Sequence, residues 1–129
     1  AQAAMPLLLD GGGSMVNMAS SAGLVGQAYQ ASYCATKAGV VMLSKSLAME
    51  YSKRGVRVNA ICPGSVSTPL VENFTVPDGI DMDLFQRLFP LIDAAEPEEI
   101  AAAVLYLASA DARFVTGVAL PIDGAQTAG

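Results

Sequence analysis

The chain has 129 residues, 53% of them hydrophobic and 15% charged, a balance that suits one packed domain and excludes a disordered polymer. A net charge of −5, with only seven scattered Lys and Arg, leaves no basic patch for nucleic acid. Histidine is absent, which removes Ser-His-Asp and Cys-His nucleophile schemes and most zinc sites, so no metal is expected.

Taken in chain order, residues 1 to 9 read as the end of a helix, stopped by Gly11-Gly12-Gly13. Ser14 to Ala19 reads as a strand with Ser20 at its C-terminal end, where open α/β sheets place their ligands. Residues 21 to 31, with Gly23 and Gly26, form a loop. From Ser32 to Arg54 the pattern is helical. Thr36, Val40, Leu43, Leu47 and Tyr51 make an apolar stripe expected to pack on a sheet, while Tyr33, Lys37, Val41, Ser44 and Ala48 form a neighbouring strip free to face a ligand. Gly55 ends that helix. Val56 to Cys62 is the next strand, and Pro63-Gly64 turns the chain at its C-terminal end. Residues 65 to 95 are irregular, with Pro69, Pro77, Gly79 and Pro90 among apolar residues. They read as a substrate lid in which Leu70, Val71, Phe74, Leu84, Phe89 and Leu91 meet either a hydrophobic substrate or the lid's own core. A helix from Pro97 to about Ala108 carries Glu96, Glu98 and Glu99 at its positive end, and Gly117 to Ile122 is a last strand. Strands alternating with helices predict a parallel sheet with crossover helices.

Cys34 and Cys62 are too few for a disulfide framework and read as buried thiols. No apolar run has the length of a membrane span and no signal-peptide pattern opens the chain, so a cytoplasmic location is expected and the sequon Asn73-Phe74-Thr75 is read as unused.

Tyr33 and Lys37 are four residues apart, hence on one face of a helix, and Ser20 lies thirteen residues before the tyrosine. A free phenol, with a pKa of about 10, is a poor base at neutral pH, but an ammonium within a few ångströms favours the phenolate. A serine hydroxyl, donor and acceptor at once, can hold an alcohol or carbonyl in reach of that phenol. The chemistry implied is proton exchange on an alcohol–ketone pair, for which a nicotinamide would carry the hydride. Taken alone, the pair is equally a tyrosine packed on a helix beside a solvated lysine.

Five segments change that balance: Gly13-Ser14-Met15-Val16-Asn17-Met18-Ala19-Ser20-Ser21-Ala22-Gly23, Ser32-Tyr33-Cys34-Ala35-Thr36-Lys37-Ala38-Gly39, Arg57-Val58-Asn59-Ala60-Ile61-Cys62-Pro63-Gly64, the helix start Glu96-Pro97-Glu98-Glu99-Ile100, and Thr116-Gly117 to Asp123-Gly124. With them the chain resembles the C-terminal half of a classical short-chain dehydrogenase/reductase over nearly its whole length. The resemblance implies an α/β fold, the C-terminal half of a Rossmann-like doubly wound sheet with three parallel strands and crossover helices, the N-terminal half being absent. Residues 1–129 would then be part of a single NAD(P)-binding domain.

It further implies that Tyr33 is the general acid/base and that Lys37 tunes it while binding the nicotinamide ribose. Ser20, in preference to Ser21, would orient the substrate oxygen. Pro63, Gly64, Val66 and Thr68 would line the nicotinamide of NAD or NADP. The spacing of four from Tyr33 to Lys37 is that of classical members and not of the enoyl reductases. The partners implied are a small alcohol or carbonyl substrate and, when complete, three further copies in a homotetramer built through the Tyr33 helix and through the last strand with the helix at 97 to 108. The glycine-rich turn that holds a pyrophosphate is not found here, so the 129 residues alone are expected to be inactive and, with a strand edge left open, to aggregate. The alternatives are a catalytically incompetent remnant acting through association, or a lyase or epimerase using the same Tyr-Lys pair.

Overall fold

The computed structural model describes every residue except Asn73, Phe74, Pro77 and Gly129, and leaves the side chains of Leu70 and Glu72 undescribed. The sequon at Asn73 and the lid positions Leu70, Phe74 and Pro77 therefore lie outside the described residues.

Three parallel strands, β1 (Gly13–Met18), β2 (Val56–Pro63) and β3 (Ala119–Ile122), form one sheet in the order β1-β2-β3. Gly13 pairs with Val56 and Met18 with Ile61 across the first ladder, and Ala60 with Ala119 and Pro63 with Ile122 across the second. Helix α1 (Met5–Gly11) precedes β1. Helix α2 (Ala31–Tyr51) connects β1 to β2, and short helices α3 (Pro69–Glu72) and α4 (Met82–Gln86) with α5 (Pro97–Ala108) connect β2 to β3.

β2 is central, and its near-continuous apolar run is what burial on both faces demands. Val56, Val58, Ala60 and Cys62 point to one face, against Met5 of α1 and Val41 and Ala48 of α2. Ile61 points to the other, against Ile100 and Leu107 of α5. Two βαβ units thus place their helices on opposite faces of the sheet.

The expected division of α2 into a packing stripe and a ligand strip holds in part: Val40, Leu47 and Tyr51 of the stripe pack against the core, whereas Thr36 and Leu43 are exposed. The strip that begins with Tyr33 and Lys37 packs as well, through buried Val41, Ser44 and Ala48, so the helix face on the sheet is broader than the stripe and takes in both. Ser44 and Ala48 are small enough to let the helix lie close to the sheet. The Ser44 hydroxyl is satisfied, donating to the Val40 carbonyl at 2.8 Å and accepting from Asn17 at 2.9 Å. Tyr33 and Lys37 reach the ligand side because α2 starts beyond the sheet's C-terminal edge.

β3 begins at Ala119 and not at Gly117, since Gly117 has a φ of +75° and the preceding segment is held by side chains of β2. Buried Asn59 donates to the Val115 carbonyl at 2.9 Å and accepts from the Val118 N–H at 3.1 Å. Arg57 on the same face donates to the carbonyls of Leu107 at 2.7 Å and Ser109 at 3.0 Å, putting a cation where the dipole of α5 is negative. At the other end of α5, the Glu99 carboxylate accepts the Glu96 N–H at 2.8 Å.

Residues 65 to 95 are tied at their ends: Val66 and Ala95 form a parallel bridge, with the Ser67 N–H on the Ala95 carbonyl at 2.8 Å. Inside that segment Asp81 caps α4 by accepting from the Asp83 and Leu84 N–H groups, and Phe85 meets Phe89 edge to face at 5.3 Å. Val71, Leu84, Phe89 and Leu91, expected among the apolar lid contacts, are exposed, and on α4 it is Phe85 and not Leu84 that turns inward. Cys62 is buried as expected, and burial pushes its thiol above the ordinary value; Cys34, on α2, is only half-buried. No helix among the described residues is long and apolar enough to cross a membrane.

Candidate active site

The site lies where the C-terminal ends of β1 and β2 meet the first turn of α2. After β1, Ala19 keeps one more ladder bond, its N–H on the Ile61 carbonyl at 2.8 Å, and Ser20 then opens a single 3-10 turn, Ser21–Gly23. The Ser20 Oγ accepts the Ala22 N–H at 3.2 Å. Ser21, the rival serine, is buried and its Oγ accepts from the Gln27 amide at 3.3 Å. The turn is pressed against α2: a Cβ on Gly23 would stand 2.8 Å from both the carbonyl carbon and the oxygen of Lys37. Only glycine permits that approach, and it sets Ser20 beside the helix that carries the tyrosine.

Tyr33 is 45% exposed, and one turn on the Lys37 ammonium stands 5.7 Å from its ring centroid. The same ammonium donates to the Met18 carbonyl at 3.3 Å, so the cation bridges α2 and the end of β1. Pro63 closes β2, and Gly64 continues the ladder through its N–H to the Ile122 carbonyl at 3.0 Å. The expected turn at Pro63-Gly64 is thus an extension of the strand before the chain leaves the sheet.

Two clefts meet here. The first, about 360 Å³, is lined by Met18, Ala19, Ser20, Tyr33, Lys37, Pro63, Gly64, Val66, Pro97 and Ile100. The second, about 620 Å³, shares Ser20, Tyr33, Gly64 and Val66 with the first and extends to Thr68, Phe85, Leu88, Phe89 and Gln126. Ser20 borders both clefts, whereas Ser21 borders the second alone. Thr68, expected beside Val66, lines only the second, apart from Lys37. Lys37 is the one charged side chain among the described residues of either lining.

Sequence reasoning passed over Pro97, Ile100 and Gln126. The first two had a usable signal: in a βαβ unit the crossover helix starts at the C-terminal edge of the sheet, so the first turn of α5 had to border the cleft. Gln126, beyond the last strand, had none.

A fold of this topology with Ser, Tyr and Lys at the C-terminal edge is that of the short-chain dehydrogenase/reductases, and the chain belongs to that family, matching its C-terminal region. The family model that matches, over residues 1–127, is described as Enoyl-(Acyl carrier protein) reductase. The chain is 44% identical over 129 residues to the 2,5-dichloro-2,5-cyclohexadiene-1,4-diol dehydrogenase of Sphingobium indicum, covering 99% of this chain and 50% of that one. It is 43% identical to the meso-2,3-butanediol dehydrogenase of Serratia marcescens, over 97% of this chain and 49% of the relative. Among solved structures it superposes on levodione reductase with a TM-score of 0.84 at 39% identity, covering 97% of this chain and 51% of that one. A short-chain dehydrogenase from Mycobacterium paratuberculosis bound to NAD gives a TM-score of 0.85 at 33% identity, over 97% and 49% of the two chains. The chain therefore spans about half the length of these relatives.

Proposed function

We propose that the polypeptide carrying these residues is an NAD(P)-dependent oxidoreductase that interconverts a secondary alcohol and a ketone. The observation that carries this reading is the convergence of Ser20, Tyr33 and Lys37 on one cleft, with the ammonium 5.7 Å from the phenol ring. The residues of that cleft fit the nicotinamide–ribose end of a dinucleotide: Pro63, Val66 and Ile100 offer apolar walls for a flat ring, and Lys37 is the only charge among the described lining residues. The solved relatives named with a cofactor hold NAD or NADH, which supports NAD as the form to test first.

When bound, the cofactor would take or give the hydride at the carbinol carbon. Tyr33 removes or returns the proton of the substrate hydroxyl, as a general base or acid. Ser20, whose Oγ accepts the Ala22 N–H and has its own O–H left to donate among the described residues, holds the substrate oxygen toward Tyr33. Lys37 spends one N–H on Met18 and keeps two for ribose hydroxyls, while its charge favours negative charge on the phenolic oxygen as the proton leaves. Pro63 and Gly64 would pack on the nicotinamide, Val66 through its backbone and Thr68 through its hydroxyl from the adjoining cleft would meet its carboxamide, and residues 65 to 95 would act as the substrate lid. Exposed Met42 and Met49 on α2, Leu105 and Tyr106 on α5 and Phe114 before β3 support a homotetramer formed through these two faces.

A second reading, reduction of an enoyl group, draws on the description of the matching family model. The four-residue interval from Tyr33 to Lys37 and the alcohol dehydrogenases among the relatives support the first. The activity is proposed for the full polypeptide, and the 129 residues alone, with no glycine-rich phosphate turn, are proposed to be inactive. The test is to follow nicotinamide absorbance with a panel of secondary alcohols, ketones and an enoyl thioester. Turnover of alcohols or ketones supports the proposal, and turnover of the enoyl thioester alone, or of nothing, overturns it.

A further inference from the structure

Gln126 follows β3 and lines the larger cleft together with Ser20 and Tyr33. Its Nε2 donates to the Leu88 carbonyl. This fixes the amide's orientation, since the reverse setting would oppose two carbonyl oxygens. Its Oε1 is then buried with no hydrogen-bond partner among the described residues. A buried amide oxygen is normally paired, and one left alone beside a cleft asks for a donor that arrives with a ligand. The terminal torsion of glutamine is broad, and a ligand in the cleft that Gln126 lines would meet Oε1 once that torsion swings it from its buried position.

The surroundings narrow the ligand further. None of the described side chains lining this cleft is charged, and Phe85, Leu88 and Phe89 supply an apolar wall. Among the described residues of this lining no counter-charge faces a carboxylate, phosphate or ammonium, which favours a neutral substrate. The neighbouring Gln27 amide is engaged, donating to Ser21 at 3.3 Å. A volume of about 620 Å³ admits a ring-sized body between the reacting carbon and a second polar group.

We infer that Gln126 determines specificity: the substrate is a neutral alcohol or ketone of apolar body that bears a second hydroxyl, whose O–H donates to Gln126 Oε1. The inference rests on the alcohol–ketone reading above and adds the substrate class. Its test uses the full polypeptide with NAD and the 1,2-, 1,3- and 1,4-cyclohexanediols, each paired with its monomethyl ether, which keeps the bulk and loses the donor. At least one diol is expected to exceed its ether in kcat/KM by about tenfold or more, mostly through KM, as one lost hydrogen bond implies. In Q126L that diol-to-ether ratio falls toward one.

Equal kcat/KM for every diol and its ether in the unsubstituted enzyme overturns the inference without recourse to a variant. So does a Q126L enzyme that keeps the full ratio. A protein that turns over neither compound fails the proposed function separately. Calorimetric binding of the diols and ethers to that protein still decides the inference, with tighter diol binding supporting it and equal binding overturning it.

Discussion

The Lys37 ammonium is held by the carbonyl of Met18, the last residue of β1, at 3.3 Å, so it is positioned by the strand that presents Ser20 as well as by its own helix. Serine, tyrosine and lysine are therefore placed by one junction: the strand end positions the first, the helix the second, and a hydrogen bond between strand and helix the third. The chemistry of the site is sensitive to whatever disturbs that junction.

Removing the phenolic hydroxyl with Y33F should lower kcat by about 10²- to 10⁴-fold in the full polypeptide, the range of a lost general acid/base. The stability change should be small, because Tyr33 is 45% exposed. Steady-state rates by nicotinamide absorbance, with a thermal melt alongside, measure both. A Y33F enzyme within a few-fold of the unsubstituted rate would remove Tyr33 from the mechanism.

Gly23 to alanine should reduce kcat and stability together. The new Cβ would lie 2.8 Å from the Lys37 backbone and has only main-chain atoms to displace, so the turn bearing Ser20 must move. Overpacking of this kind costs about 1–3 kcal/mol. Gly26 serves as the control, since a Cβ there would meet nothing within 4 Å: G26A should leave both quantities nearly unchanged.

Asn59 to leucine should cost about 2–4 kcal/mol in denaturant unfolding of the full polypeptide. It removes two bonds and leaves the Val115 carbonyl and Val118 N–H without the partners that dock the segment before β3. An unchanged midpoint would show that the segment is held without Asn59.

Stability should fall on the alkaline side. Burial raises the Cys62 thiol, so the fold favours the protonated form; the contribution is complete below the ordinary thiol range and is lost as pH rises from ~8.5 through the folded value. Tyr51, raised chiefly by its hydrogen bond to Glu50, acts in the same direction at higher pH. Melting temperatures across pH 7 to 10 should decline less steeply in C62A than in the unsubstituted protein, and parallel curves would refute the assignment.

The 129-residue chain prepared alone should aggregate or melt without cooperativity, since β1 pairs only with β2 among the described residues and its other edge is open. A monomeric sample with a sharp cooperative melt would count against this.

What was legible in the sequence was whatever one residue or a short local pattern decides. Helix α5 runs from Pro97 to Ala108 as read, because proline at its start and the acidic residues of its first turn act locally. The pairing of Tyr33 with Lys37 followed from helical spacing. The side of α2 that packs was legible only in part: Val40, Leu47 and Tyr51 pack as read, but the deepest contacts go to Val41, Ser44 and Ala48, where small side chains allow close approach, and equally apolar Leu43 and Met49 are exposed. Nor could the roles of Arg57, Asn59 and Gln126 be read, because each bonds main-chain groups tens of residues away whose proximity exists only once β2 and β3 are paired.

The bridge between Val66 and Ala95 closes the intervening stretch into a loop with a fixed base. Its two ends are clamped together beside the candidate site, so its length can drift at little thermodynamic penalty, about 0.6 kcal/mol for each doubling. Insertions or deletions between those two residues would leave the ends of β1 and β2, and the side chains they present, where they are.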